Sequence, residues 1–122
     1  MATTKAPTTV WTAQTLTAGA GDTTSSSLNL TDGYGGNYHI KLTNGATGPT
    51  IPAQVQIQTS PDDSFWTNYG PPLIGSTANS AVVSWSDLTI EPGVRFARLV
   101  AGSNTAQNVT AAAVFTEITG LI

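Results

Sequence analysis

The chain contains a single histidine, His39, and no cysteine. Nucleophilic catalysis of the serine type needs an imidazole beside a hydroxyl and an orienting carboxylate. His39 lies in the run Asn37-Tyr38-His39-Ile40-Lys41-Leu42, whose period of two sends His39 and Lys41 to the solvent side of a half-buried strand. It reads as a surface residue. Thiolate zinc sites, disulfides and cysteine nucleophiles are excluded by composition. The seven carboxylates are spread along the chain, and only Asp62-Asp63 are adjacent. That pair follows Ser60-Pro61, where aspartate caps its own backbone; a weak calcium site is the alternative. Gly33-Tyr34-Gly35-Gly36 is glycine-rich but precedes neither a helix nor a lysine placed to hold phosphate, so it reads as a flexible loop or bulge. No catalytic residue, cofactor or metal site is expected.

The three tryptophans and three tyrosines remain: Trp11, Trp66, Trp85, Tyr34, Tyr38 and Tyr69. Together they could form a sugar-stacking platform, but a small sandwich also needs large side chains to fill its core. Trp66 and one other tryptophan are assigned to the core. Trp11 and Trp85 are kept as exposed aromatics for a partner.

These side chains must be positioned by strands. Thr, Val, Gly, Ser, Asn and Pro outnumber the strong helix formers. Strands are expected over residues 9–17, 26–31, 37–43, 53–60, 65–69, 81–90, 94–101 and 107–118. The clearest is 53–60, where Val55, Ile57 and Thr59 alternate with a row of amides, Gln54, Gln56 and Gln58. Ala111-Ala112-Ala113, flanked by β-branched and aromatic residues, belongs to the last strand. The strands 94–101 and 107–118 read as a hairpin turning at Gly102-Ser103-Asn104-Thr105. Residues 18–25 and 73–80 read as loops. The expected architecture is a single all-β domain over residues 9–122. It is an antiparallel β-sandwich of seven to eight strands, immunoglobulin-like or jelly-roll-like, preceded by an extended N-terminal arm over residues 1–8.

Charged residues make up only 9% of the 122 residues and the net charge is −3, against roughly 25% charged residues in average soluble domains. Four cations, Lys5, Lys41, Arg95 and Arg98, do not make the basic footprint that nucleic acid requires. No run reaches the ~20 apolar residues of a membrane-spanning helix. Nucleic acid and membrane are therefore not expected partners, and synthesis in a host cytoplasm is expected from the lack of an apolar leader segment. A surface of neutral hydroxyls and amides avoids the desolvation cost of charges when another protein covers it.

The stretch VQIQTSPDDSFW, with its amide-lined strand and Ser-Pro-Asp turn, resembles small virion structural proteins of tailed bacteriophages, as does FARLVAGSNTAQNVTAAAV with Arg98, Gly102, Asn104 and Thr105. The resemblance covers roughly residues 53–118; the glycine-rich segment 32–37 departs from it. It implies a non-enzymatic β-sandwich of a capsid, neck or tail. Among such proteins, decoration or cement proteins coat heads, often as trimers, and grip the shell with terminal arms. The expected partners are therefore a major capsid protein or other virion subunits and further copies of the chain, with a trimer favoured and the virion surface as location. The expected contact residues are Ala2, Thr3, Thr4, Lys5, Pro7, Thr8 and Thr9 of the arm, with Trp11 and Trp85. The arm would add to an exposed sheet edge; a disordered tail is the plain alternative. A tail or neck subunit and a carbohydrate- or receptor-binding module are the competing expectations.

Overall fold

A computed structural model describes residues 3–121. Ten strands, β1 (Thr3–Leu16), β2 (Thr23–Thr24), β3 (Leu28–Asn29), β4 (Gly36–Asn44), β5 (Gln54–Ser60), β6 (Thr67–Asn68), β7 (Leu73–Ile74), β8 (Val82–Ile90), β9 (Phe96–Gly102) and β10 (Val109–Leu121), form two antiparallel sheets. One sheet has the order β1-β10-β4-β8; the other runs β2-β9-β5-β6, with β3 also on β9 and β7 also on β5.

The pairs β2/β3 and β6/β7 each lie along one side of a single partner strand. Between β6 and β7 stands Gly70-Pro71-Pro72, whose prolines donate no ladder hydrogen bond. Counting each interrupted pair as one strand gives eight, which switch sheet at every step along the chain except from β5 to β6/β7, neighbours in the six-stranded sheet. Two four-strand layers in this order make a jelly roll rather than the immunoglobulin-like alternative.

Alternation positions the core. Tyr38, Ile40 and Leu42 of β4, Val55 and Ile57 of β5, Ala97, Leu99 and Ala101 of β9, and Val109, Ala111, Ala113 and Phe115 of β10 are buried between the sheets. The intervening His39 and Lys41 are exposed. Tyr38 and Phe115 meet edge to face with ring centroids 4.8 Å apart, the arrangement aromatic quadrupoles favour. Burial holds the Tyr38 phenol well above its ordinary ionisation range.

Several expectations are corrected. Residues 94–101 and 107–118 form no hairpin: β9 pairs with β5, β2 and β3, whereas β10 lies between β1 and β4 in the opposite sheet. The connection crosses the sandwich, and Ser103 and Ala106 take positive φ values of 68° and 72° within it. Buried Asn104 fastens it by donating from Nδ2 to the Leu16 and Gln107 carbonyls, both at 2.9 Å. The segment 18–25 holds β2 and a buried Ser25 whose hydroxyl accepts from the Leu99 amide at 2.9 Å. The segment 73–80 begins with β7. The aromatic strand 65–69 shrinks to β6, and Phe65 is 67% exposed in the preceding turn.

The glycine-rich segment is no flexible loop. Gly35 has φ +75°, and a Cβ there would collide with the Ile90 carbonyl; at Gly36 it would collide with the Thr116 carbonyl. The backbone passes too close to its neighbours for a side chain. The Asp62 turn forms as expected: Oδ1 accepts from Phe65 N–H at 2.8 Å and Ser64 N–H at 3.0 Å. Those two donors hold its carboxyl below the ordinary aspartate range.

Candidate interaction surfaces

The expected arm is not separate from the domain. β1 begins at Thr3, six residues before the expected strand start, and pairs with β10 from Thr3↔Leu121 to Leu16↔Val109. Along β10, pairing with β4 ends at Gly36↔Glu117. Ile118 still exchanges backbone hydrogen bonds with Tyr34 and Gly35, and beyond it Thr3–Thr4 and Gly120–Leu121 continue as a two-stranded ribbon. Thr4, Lys5, Pro7, Thr8 and Thr9 are exposed. Ala2 lies outside the described residues, and Thr3 contributes its backbone pairing.

β1 is also a sheet edge. Lysine, proline and bulges blunt edges against strand addition, and β1 carries Lys5, Pro7 and register shifts at Thr4/Lys5, Thr9/Trp11 and Trp11/Gln14. Its exposed residues therefore present side chains better than an open hydrogen-bonding edge.

The two shifts around Trp11 break the period of two, so neighbouring Val10 and Trp11 both pack on the core. Trp11 is 8% exposed, which corrects its assignment to a partner surface. Trp85 opposes inward-facing Ile40 in the β4–β8 ladder and packs half-buried against the core from the edge strand. Trp66, assigned to the core, is half-buried at the surface with the Arg98 guanidinium 4.2 Å from its ring centroid.

Outward positions of the four-stranded sheet form a shallow depression of about 190 Å³, lined among others by His39, Lys41, Ser84, Ser86, Ala112 and Val114, with Trp85 at its border. His39 Nε2 lies 3.8 Å from Asp87 Oδ1, and both side chains are largely exposed. Among the described residues no hydrogen bond joins the imidazole to the hydroxyl of Ser84 or Ser86, so a base–nucleophile pair is not assembled. The floor is short and apolar. A flat surface of this composition suits contact with another protein, because little polar hydration is lost when it is covered.

The outward face of the six-stranded sheet differs. Gln54, Gln56, Gln58, Val100 and Asn68 line a groove of about 320 Å³, closed at its rim by Asp22, Pro72 and Ser103. The sequence reading placed the three glutamines on this face. It missed Asn68, which β6 sets opposite Gln58, as well as Asp22 and Ser103, which come from loops far along the chain, and the Arg98–Trp66 stack. No local pattern marks those residues.

No protein-family model matches the sequence, and no curated protein matches it. Solved structures share the fold. SPBc2 prophage-derived protein YomS is 11% identical with a TM-score of 0.56, covering 95% of this chain and 96% of that one. A chain of Bacillus endospore appendages, disulfide-linked pili, is 13% identical with a TM-score of 0.55, covering 98% of this chain and 91% of that one. A chain of infectious bursal disease virus, Gx strain, is 11% identical with a TM-score of 0.54; the match covers 97% of this chain and 32% of the viral one. At such identities the likeness is one of fold: a sandwich that also occurs in prophage, pilus and virus proteins.

Proposed function

We propose that this chain is a structural subunit of a phage-type virion, and within that class a decoration protein that seats on the assembled head and stabilises it. The observation that carries this reading is the outward face of the four-stranded sheet. Around Ala112 and Val114 it offers hydroxyls and short apolar side chains, with His39 and Lys41 as the ionisable groups lining its depression, and it continues into the β1–β10 ribbon. Apart from Lys41 and the neighbouring His39 and Asp87, which a partner would have to pair or leave in solvent, such a face is covered at small electrostatic cost. The sandwich shared along nearly the whole length of both chains with a prophage-derived protein supports the class. The partners in this reading are a major capsid protein or other virion subunits and, in a small closed ring, copies of the chain itself; a trimer is favoured. Repetition on a symmetric shell turns weak contacts into strong attachment.

The test is an electron-microscopic reconstruction of the particle that carries the chain. Density for the jelly roll at symmetric positions on the outside of the head, with the four-stranded sheet and Thr4–Thr9 turned toward neighbours, is the expected result. Density at the neck or tail would reassign it to a connector. Particles lacking the chain altogether would sink the virion reading.

A further inference from the structure

The amide groove on the six-stranded sheet is the most organised polar surface of the molecule. Arg98 Nε donates to Gln58 Oε1 at 2.9 Å, while the guanidinium lies over Trp66. Gln58 Nε2 in turn donates to Asn68 Oδ1 at 3.2 Å. Gln56 Nε2 donates to the Ile57 and Gly70 carbonyls at 2.9 and 3.0 Å. Gln56 and Gln58 are thus held by groups outside the groove, and Asn68 by Gln58 within it. What remains for a ligand is the carbonyl oxygen of Gln56, the amino group of Asn68, the amide of Gln54, the hydroxyl of Ser103 and the carboxylate of Asp22.

From this arrangement we infer that the groove is a binding site for a neutral, hydroxyl-rich ligand: one or two sugar units of an uncharged glycan. Planar amides offer paired donors and acceptors that match neighbouring hydroxyls, and Val100 and Pro72 give apolar ground for the C–H face of a pyranose. An anionic ligand is disfavoured because the lining carries Asp22, while the nearby cation, Arg98, is engaged by Gln58 and Trp66. An extended peptide is disfavoured because β5 and β9 lie inside the sheet and their backbone groups are already paired. The volume, near the lower end for small-molecule sites, suits a mono- or disaccharide. Copies on one particle would multiply a weak affinity per site. The site lies on the sheet opposite the proposed subunit contact, so the two readings stand or fall separately.

The test is titration of isotope-labelled, full-length protein followed by two-dimensional NMR, using maltose, cellobiose, lactose and chitobiose, with sialyllactose, inorganic phosphate and a Thr-Ser-Ala-Thr peptide as controls. The expected result is a saturable shift of the Gln54, Gln56 and Asn68 side-chain amide signals with at least one neutral disaccharide. Gln54→Ala and Asn68→Ala should each weaken binding about fivefold, the worth of one hydrogen bond, with circular dichroism unchanged. Trp85→Ala should leave binding intact. No saturable shift with any of the four sugars overturns the proposal. So do shifts confined to the four-stranded sheet, or saturation by sialyllactose, phosphate or the peptide alone.

Discussion

On the four-stranded sheet the outward positions carry His39, Lys41, Ser84, Ser86, Ala112 and Val114, whereas on the six-stranded sheet they carry Gln54, Gln56, Gln58, Arg98 and Val100. Both faces come from the same alternation, and beneath both lies one shared core. Around His39 and Lys41 the first is made of short side chains, Ser84, Ser86, Ala112 and Val114, with few tethers, so much of its shape is that of the backbone. The second is made of long side chains tied to one another and to neighbouring carbonyls. Small residues give a face that another protein can cover; tethered amides give one that holds its donors and acceptors in register for a small polar ligand.

The contrast can be broken most severely at Gly36. Gly36→Ala sets a methyl against the Thr116 carbonyl and forces β4 away from β10, so we expect a loss of more than about 4 kcal/mol or no folded protein. Gly45→Ala, whose new methyl meets nothing within 4 Å, should stay within about 0.5 kcal/mol. Urea unfolding of the two variants measures both. Equal behaviour would mean that the close β4–β10 approach does not constrain the four-stranded sheet.

Next come Leu42→Ala and Leu99→Ala, which remove fully buried side chains from opposite sheets. Each should cost about 2–5 kcal/mol. Because the sheets share one core, both variants should unfold in a single transition seen alike by tryptophan fluorescence and far-ultraviolet dichroism. Two separated transitions would show that the sheets are independent bodies.

Asn104→Ala addresses the crossing between the sheets. It leaves the Leu16 and Gln107 carbonyls without their donor and should cost about 1–3 kcal/mol. Hydrogen exchange should speed up at the ends of β1 and β10 before the amide groove responds. Unchanged exchange there would remove Asn104 as the fastener.

The alkaline limit follows from Tyr38. Its folded-state ionisation is raised by burial, so its contribution is fully present below the unfolded tyrosine value of ~10 and is lost as pH climbs from there toward the raised folded value. Among the described residues its hydroxyl has no hydrogen-bond partner. Tyr38→Phe should therefore leave neutral-pH stability nearly unchanged or slightly higher and make alkaline unfolding begin later. Unaltered alkaline midpoints would assign that limit to other groups.

The smallest effects test the two faces directly. Arg98→Ala removes the stack on Trp66 and the bond to Gln58 and should cost about 1 kcal/mol. Lys41→Ala, on the opposite face, should be neutral within about 0.5 kcal/mol. If the two thermal midpoints coincide, the tethering of the amide face does not contribute to stability.

Much of the sandwich was legible along the chain. The alternations at 37–43 and 53–60 place Tyr38, Ile40, Leu42, Val55 and Ile57 inward, and the structure keeps them there. Period-two reading failed wherever the period itself is broken. Trp11 turns inward because bulges flank it, and a bulge is set by the partner strand β10, a hundred residues away. β9 and β10 look like a hairpin because a crossing between sheets and a tight turn use the same Gly, Ser and Asn residues. The row Gln54, Gln56, Gln58 was visible as a row and the following strand brings Asn68 opposite Gln58, but the groove also needed Asp22 and Ser103 from segments whose separation in sequence hides their proximity.

By itself the sequence determined the β character, the neutral surface and the inward faces of the regular strands, because alternation and side-chain chemistry are local properties. Only the tertiary structure decided the jelly-roll order, the burial of Trp11, the pairing of residues 3–8 with β10 and the convergence of the amide groove. Each of these depends on which strands become neighbours, and that follows from joint burial of one core, to which no single segment holds the key.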